Sequence, residues 1–126
     1  MCLLDQVLSH DEERIVCRAV SHRDAANPLR ENGALHAVCG VEYAAQAMAI
    51  HGALCGGRDV TPGVLAGIRD VYLAAERLDE LHEDLIVTAT RLVGDRTRLL
   101  YEFTIAAGAR EIVRGRATVI LDVGSG

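Results

Sequence analysis

Between Thr97 and Ala106 apolar and polar residues alternate, with Leu99, Tyr101, Phe103 and Ile105 on one face and Arg98, Glu102 and Thr104 on the other. A period of two predicts a half-buried strand. Glu111 to Val123 repeats the device with Val113, Ala117, Val119 and Leu121, and Asp84–Val93 and Val64–Ala74 are further strands. Gly94-Asp95 and Ala107-Gly108 are the turns between the last three. At the start, Leu3–Ser9 and Arg14–Val20 read as a hairpin around the polar turn His10-Asp11-Glu12-Glu13. From Ala37 to Leu54 the period changes: Val41, Ala44, Ala45, Met48 and Gly52 recur at helical steps. This helix is nearly apolar all round, which predicts burial on several sides, and Cys55-Gly56-Gly57 stops it. Ahead of it, Ser21–Gly33 is a polar connection interrupted by Asn27-Pro28 and Asn32-Gly33. It is long for a compact domain, and long ordered loops are often functional.

Two strands, a loop, one long helix and four strands joined by short turns make an antiparallel sheet that must wrap the helix. That is an α+β hot-dog architecture, expected as one domain over residues 1–126. Only one Phe and no Trp are present, so aliphatic residues and alanines must build the core. A net charge of −5 without a basic stripe argues against nucleic acid. Residues 34–54 are apolar but carry His36, Glu42, Gln46 and His51, which a membrane-spanning helix would not tolerate. The four cysteines have no zinc-site spacing, and Cys17, Cys39 and Cys55 read as small buried hydrophobes. No metal or cofactor is expected. The absence of a secretory signal points to the cytoplasm.

Glu42 is the sharpest chemical feature. It lies near the start of the helix among Val, Ala, Cys and Gly. Burial raises a carboxyl pKa and a helix N-terminus lowers it, so such a group is a candidate acid/base. The alternative is a helix-start Glu facing solvent. Gln46, one turn later, shares its face. Together they read as a polar site in an apolar pocket, or as a Gln bonded to nearby backbone.

The run Gly40-Val41-Glu42-Tyr43-Ala44-Ala45-Gln46-Ala47-Met48-Ala49 resembles the central-helix motif of the 3-hydroxyacyl-acyl-carrier-protein dehydratases. Met1-Cys2-Leu3-Leu4-Asp5-Gln6-Val7-Leu8 is similar to that family's first strand, and Arg114-Gly115-Arg116-Ala117-Thr118-Val119 to its last. Asn27-Pro28-Leu29-Arg30 followed by this helix resembles a divergent branch found in aryl-polyene and related lipid clusters. The resemblance begins at Met1, so a few upstream residues could be absent.

The resemblance implies removal of water from a 3-hydroxyacyl thioester on a carrier protein or coenzyme A. A His takes the proton beside the carbonyl, an acid from the opposite subunit assists departure of the hydroxyl, and helix-start amides polarise the thioester oxygen. Glu42 would be the acid, the amides would come from near Ala37, and Gln46, Ala37 and Asn27 would line the substrate. The family's loop His falls here at Asn27-Pro28, neither of which accepts a proton. His36 is the first substitute and His22 the second, the latter expected at the surface; His10 and His82 sit in polar turns. His51 lies half a turn away from Glu42 on a helix of about 3.6 residues per turn. Either His36 serves as the base in a homodimer, or the chain supplies only Glu42 to a heterodimer with a related His-bearing subunit. Thioester hydrolysis and a non-catalytic acyl-binding or pairing subunit are the alternatives. Arg58, Arg69 and Arg30 are candidate contacts for an acidic carrier, the alternative for each being an ordinary surface charge.

Overall fold

A computed structural model describes residues 2–56, 63–95 and 97–121. Strands β1 (Gln6–His10) and β2 (Arg14–Ala19) form the opening hairpin, followed by the connection to helix α1 (Gly40–Gly56). Strands β3 (Gly63–Leu73), β4 (Leu85–Gly94), β5 (Arg98–Ala107) and β6 (Arg110–Leu121) complete one antiparallel sheet of order β1-β2-β4-β5-β6-β3. Each predicted strand is present, displaced by a few residues at its ends. The alternation on β5 is expressed as burial: Tyr101, Phe103 and Ile105 are buried on the face that meets α1.

A short 3-10 turn, Ala37–Cys39, leads into α1. The helix lands on the sheet at Gly40, where an added Cβ would stand 2.7 Å from Ile105 Cδ1. That close approach leaves little room for a side chain. Tyr43, Ala44, Ala47 and His51 are fully buried, whereas Glu42, Ala49 and Ala53 are exposed. The expected burial on several sides is therefore corrected. The sheet covers one flank of α1 and leaves a stripe of small residues open on the other. The predicted stop falls at Gly56, and Gly57 lies outside the described residues.

The connection before α1 is ordered by the loop between β3 and β4. Asn32 and Gly33 both have positive φ, of 52° and 81°, and close a tight turn flanked by the Glu31–Ala34 bridge. The Leu35 amide donates to Asp79 Oδ1 (2.9 Å), and the Leu78 amide to the Leu35 carbonyl (2.7 Å). Arg77 and Arg30 approach Asp79 at 2.5 and 3.8 Å. Arg30 also donates to the carbonyls of Asp24, Gly33 and His22. It is a brace of the loop, which corrects its expected role as a carrier contact. Arg69 lies exposed on β3, and Arg58 lies outside the described residues.

The hydrogen bond from Arg77 is the main cause of a carboxyl at Asp79 held at about 2. A lowered carboxylate pKa stabilises the fold fully above the ordinary value of 3.8, and the benefit is lost as pH falls through about 2. Asp79→Asn should therefore melt below the parent protein at neutral pH, with the gap closing across that acid window. Thermal melts at several pH values check it, and a constant gap would show that the charge of Asp79 is not what matters.

Candidate active site

Glu42 stands in the first turn of α1, on the open flank of the helix. Its carboxylate makes no hydrogen bond or ion pair with the described residues. Of the two readings of this residue, the isolated chain displays the solvent-facing one. Close by, burial and then the Glu42 charge push the Cys39 thiol up, so it stays protonated. Cys17 is buried as expected, but Cys55 is exposed at the end of α1, which corrects its reading as a buried hydrophobe.

His36 is exposed immediately before the 3-10 turn, with extended backbone, and its ring makes no hydrogen bond among the described residues. It faces a shallow groove formed with Val38 and the segment Leu73–Glu76. Glu42 does not line that groove. Among the described residues, then, the two candidate catalytic side chains do not meet in that groove.

The residues expected against the substrate are otherwise engaged. The Ala37 amide donates to the Glu76 carbonyl (2.8 Å), so it is not a free donor. Among the described residues the next amide, of the half-exposed Val38, has no acceptor. Gln46 Oε1 accepts from the Leu3 amide (2.7 Å), tying the segment before β1 to the helix. Asn27 is 3% exposed; its Nδ2 donates to the Ser21 carbonyl (2.9 Å) and the Tyr43 hydroxyl (3.1 Å), and its Oδ1 accepts from the Leu29 amide (2.9 Å). With all these groups used inside the fold, Asn27 is a structural residue of the loop. Its expected contact with substrate is corrected on that ground.

His22 is fully buried, not at the surface as expected. Its Nε2 donates to the carbonyls of Leu81 (3.2 Å) and Glu83 (3.0 Å), while Nδ1 has no partner among the described residues. Burial lowers its pKa and keeps the ring neutral. It cannot swing toward Glu42 without breaking the junction of the two loops. His51, also fully buried, donates from Nε2 to the Asp11 carbonyl (2.8 Å). In the neutral ring Nδ1 is then the acceptor for the Tyr101 hydroxyl, 2.7 Å away.

The feature that sequence reasoning missed is a cavity of about 410 Å3 between the open flank of α1 and the ends of β3, β5 and β6. Ala45, Ala49 and Gly52 form its helix side, and Leu99, Tyr101 and Val119 its sheet side. Glu42 precedes Ala45 by three residues and Ala49 by seven, so the cavity continues the face that bears the carboxylate. The signal was present in the sequence as small residues at that spacing, but they were read as buried helix.

Among the described residues no helix is long and apolar enough to cross a membrane, and no cluster of three metal-ligating side chains occurs. No curated protein matches the chain in sequence. A solved dehydratase heterocomplex ApeI:P from Xenorhabdus doucetiae has a similar fold, with a TM-score of 0.79 at 23% identity over 94% of this chain and 82% of that one. A mutant thioesterase PA1618 from Pseudomonas aeruginosa gives 0.70 at 15% identity, over 91% of this chain and 78% of the other. A hypothetical thioesterase protein with coenzyme A from Streptococcus pneumoniae TIGR4 gives 0.69 at 14%, over 92% and 84%. These likenesses establish the hot-dog fold. The family described as ApeP-like, ApeP dehydratase, matches residues 1–122, and on that match the chain belongs to the ApeP-like dehydratase family.

Proposed function

We propose that the chain is the acid-bearing subunit of a heterodimeric dehydratase acting on 3-hydroxyacyl thioesters in polyene-type lipid biosynthesis. The observation that carries this reading is an exposed Glu42 beside an apolar cavity, with no base among the described residues bonded to it. The base must then come from outside. A second copy would bring Asn27-Pro28 again to the loop position and His22 again buried, and would offer the exposed His36 in their place; we favour a related subunit with a loop His over that homodimer. The similar heterocomplex, itself a dehydratase, supports the same choice.

The surface for that partner is β3. Its outer edge has no neighbouring strand in the sheet order, yet Val64, Val71, Tyr72 and Leu73 on it are exposed, Tyr72 by 70%. An edge strand with this much apolar surface is suited to pairing. Bulges between Leu65 and Gly67 and between Arg69 and Tyr72, the second with Asp70 at a φ of 56°, shape it.

In the reaction the partner's base removes a proton from the carbon beside the thioester carbonyl. The electron pair forms the new carbon–carbon double bond, and Glu42 protonates the departing hydroxyl, which leaves as water. Amides at the helix start would polarise the thioester oxygen. The substrate is an acyl group carried as a thioester on a carrier protein or coenzyme A. Four free cysteines suit a reducing cytoplasm.

The test is dehydration of a 3-hydroxyacyl-carrier-protein by the purified chain, alone and mixed with a His-bearing hot-dog subunit. We expect turnover only in the mixture, and His36→Ala to lower it far less than loss of the partner's His. Turnover by the chain alone that His36→Ala abolishes would overturn the heterodimer. Release of free acid in place of the unsaturated thioester would establish hydrolysis, which one carboxylate acting through water can perform.

A further inference from the structure

Gly52 is a glycine that packing among the described residues does not require. It lies inside α1, where glycine weakens a helix relative to alanine. Gly40 shows what justifies glycine in this helix, a sheet side chain within 2.7 Å of a would-be Cβ. At Gly52 an added Cβ would meet nothing within 4 Å among the described residues. The empty space is the distal part of the 410 Å3 cavity.

That space is shaped and stays open. Across from Gly52 stand Leu99 and Val119, and Tyr101 forms the wall toward the centre of the sheet. The Tyr101 ring cannot swing inward to fill the gap, because its hydroxyl is held by His51 and the two rings meet edge to face with centroids 5.7 Å apart. A lining of aliphatic side chains offers water few partners, so the fitting occupant is apolar. Glu42, Ala45, Ala49 and Gly52 follow one another along a single helix face. An apolar chain whose reacting end lies at Glu42 reaches Gly52 after roughly 15 Å, the rise of ten helical residues.

We propose that Gly52 is a specificity-determining residue, leaving open the distal end of the cavity so that the site accepts thioesters with long, unbranched apolar chains. This rests on the reading of Glu42 as the acid of an acyl-thioester site and adds the length of chain that site admits. The fitting probes are saturated acyl-coenzyme A thioesters, butanoyl and decanoyl, whose binding is measured without catalysis.

Gly52→Leu should weaken decanoyl binding about tenfold relative to butanoyl, the equivalent of roughly two methylenes left unburied. Gly52→Ala should show the same direction with a smaller change. Both variants should melt at or above the parent temperature, because each replaces a helix-interior glycine by a better helix former. Unchanged decanoyl binding in a folded Gly52→Leu protein would overturn the proposal and leave the thioester reading standing. So would an equal loss for both chain lengths accompanied by loss of assembly, which would show a partner side chain to be the occupant. Failure of the parent protein, in its assembled form, to bind either thioester would overturn both.

Discussion

Glu42→Gln is expected to lower dehydration by about 100- to 10,000-fold, the usual contribution of a positioned general acid or base. The substitution keeps the shape of the side chain and removes only the transferable proton. Because Glu42 is exposed and bonded to no described residue, its loss removes no native contact. The favourable placement of a negative charge in the first helical turn is worth about 0.3–1 kcal/mol, so the melting temperature should fall only slightly. Assembly with the partner subunit should persist, since the apolar edge of β3 is untouched. The informative result is thus a mixture that folds, assembles and binds thioester but does not form the double bond. Turnover within a few-fold of the parent would remove Glu42 from the chemistry and leave the chain as a pairing or acyl-binding subunit.

The strands were legible because period-two alternation is a local signal, and on β5 it coincides with burial from Tyr101 to Ala107. The helix was legible in extent but not in surroundings. Ala45, Ala49 and Ala53 look the same in sequence whether they meet a sheet or line an open cavity. The loop was the least legible part. His22 and Asn27 are polar residues in a polar segment, and only long-range partners at Leu81, Glu83 and Tyr43 reveal why they are buried. The acidic residue could be picked out because a carboxylate in an apolar helix is conspicuous. What the sequence could not show is that His36 faces a groove that Glu42 does not line, since that depends on how the Leu73–Glu76 segment folds beside the helix start.

Asn27→Ala should lower stability by about 3 kcal/mol, a large share of the roughly 5–15 kcal/mol typical of a domain. The reasoning follows the direction of each hydrogen bond. Ser21 Oγ donates to the Leu3 carbonyl (2.7 Å), so the Tyr43 hydroxyl must donate to Ser21 Oγ (2.8 Å) and accept from Asn27 Nδ2 (3.1 Å). Asn27 heads a buried chain that runs through the helix to the segment before β1. Truncation removes this donor from the Ser21 carbonyl, which keeps the Asp24 amide (3.1 Å), and leaves the Leu29 amide without this acceptor and the Tyr43 oxygen half satisfied; a buried polar group stranded in this way costs about 1–3 kcal/mol. Tyr43→Phe breaks the same chain from its middle, so the double variant should cost less than the sum of the two. Asn27→Asp keeps the acceptor for Leu29 but sets a buried carboxylate oxygen against the Ser21 carbonyl, and should cost at least as much as Ala. For a chain of this size the Ala variant should melt lower by on the order of 10 °C. Thioester affinity of the protein that remains folded should change little, because no atom of Asn27 is free to reach a ligand. An Asn27→Ala protein that melts with the parent and instead binds thioester weakly would restore Asn27 to the substrate and make its bond to Tyr43 incidental.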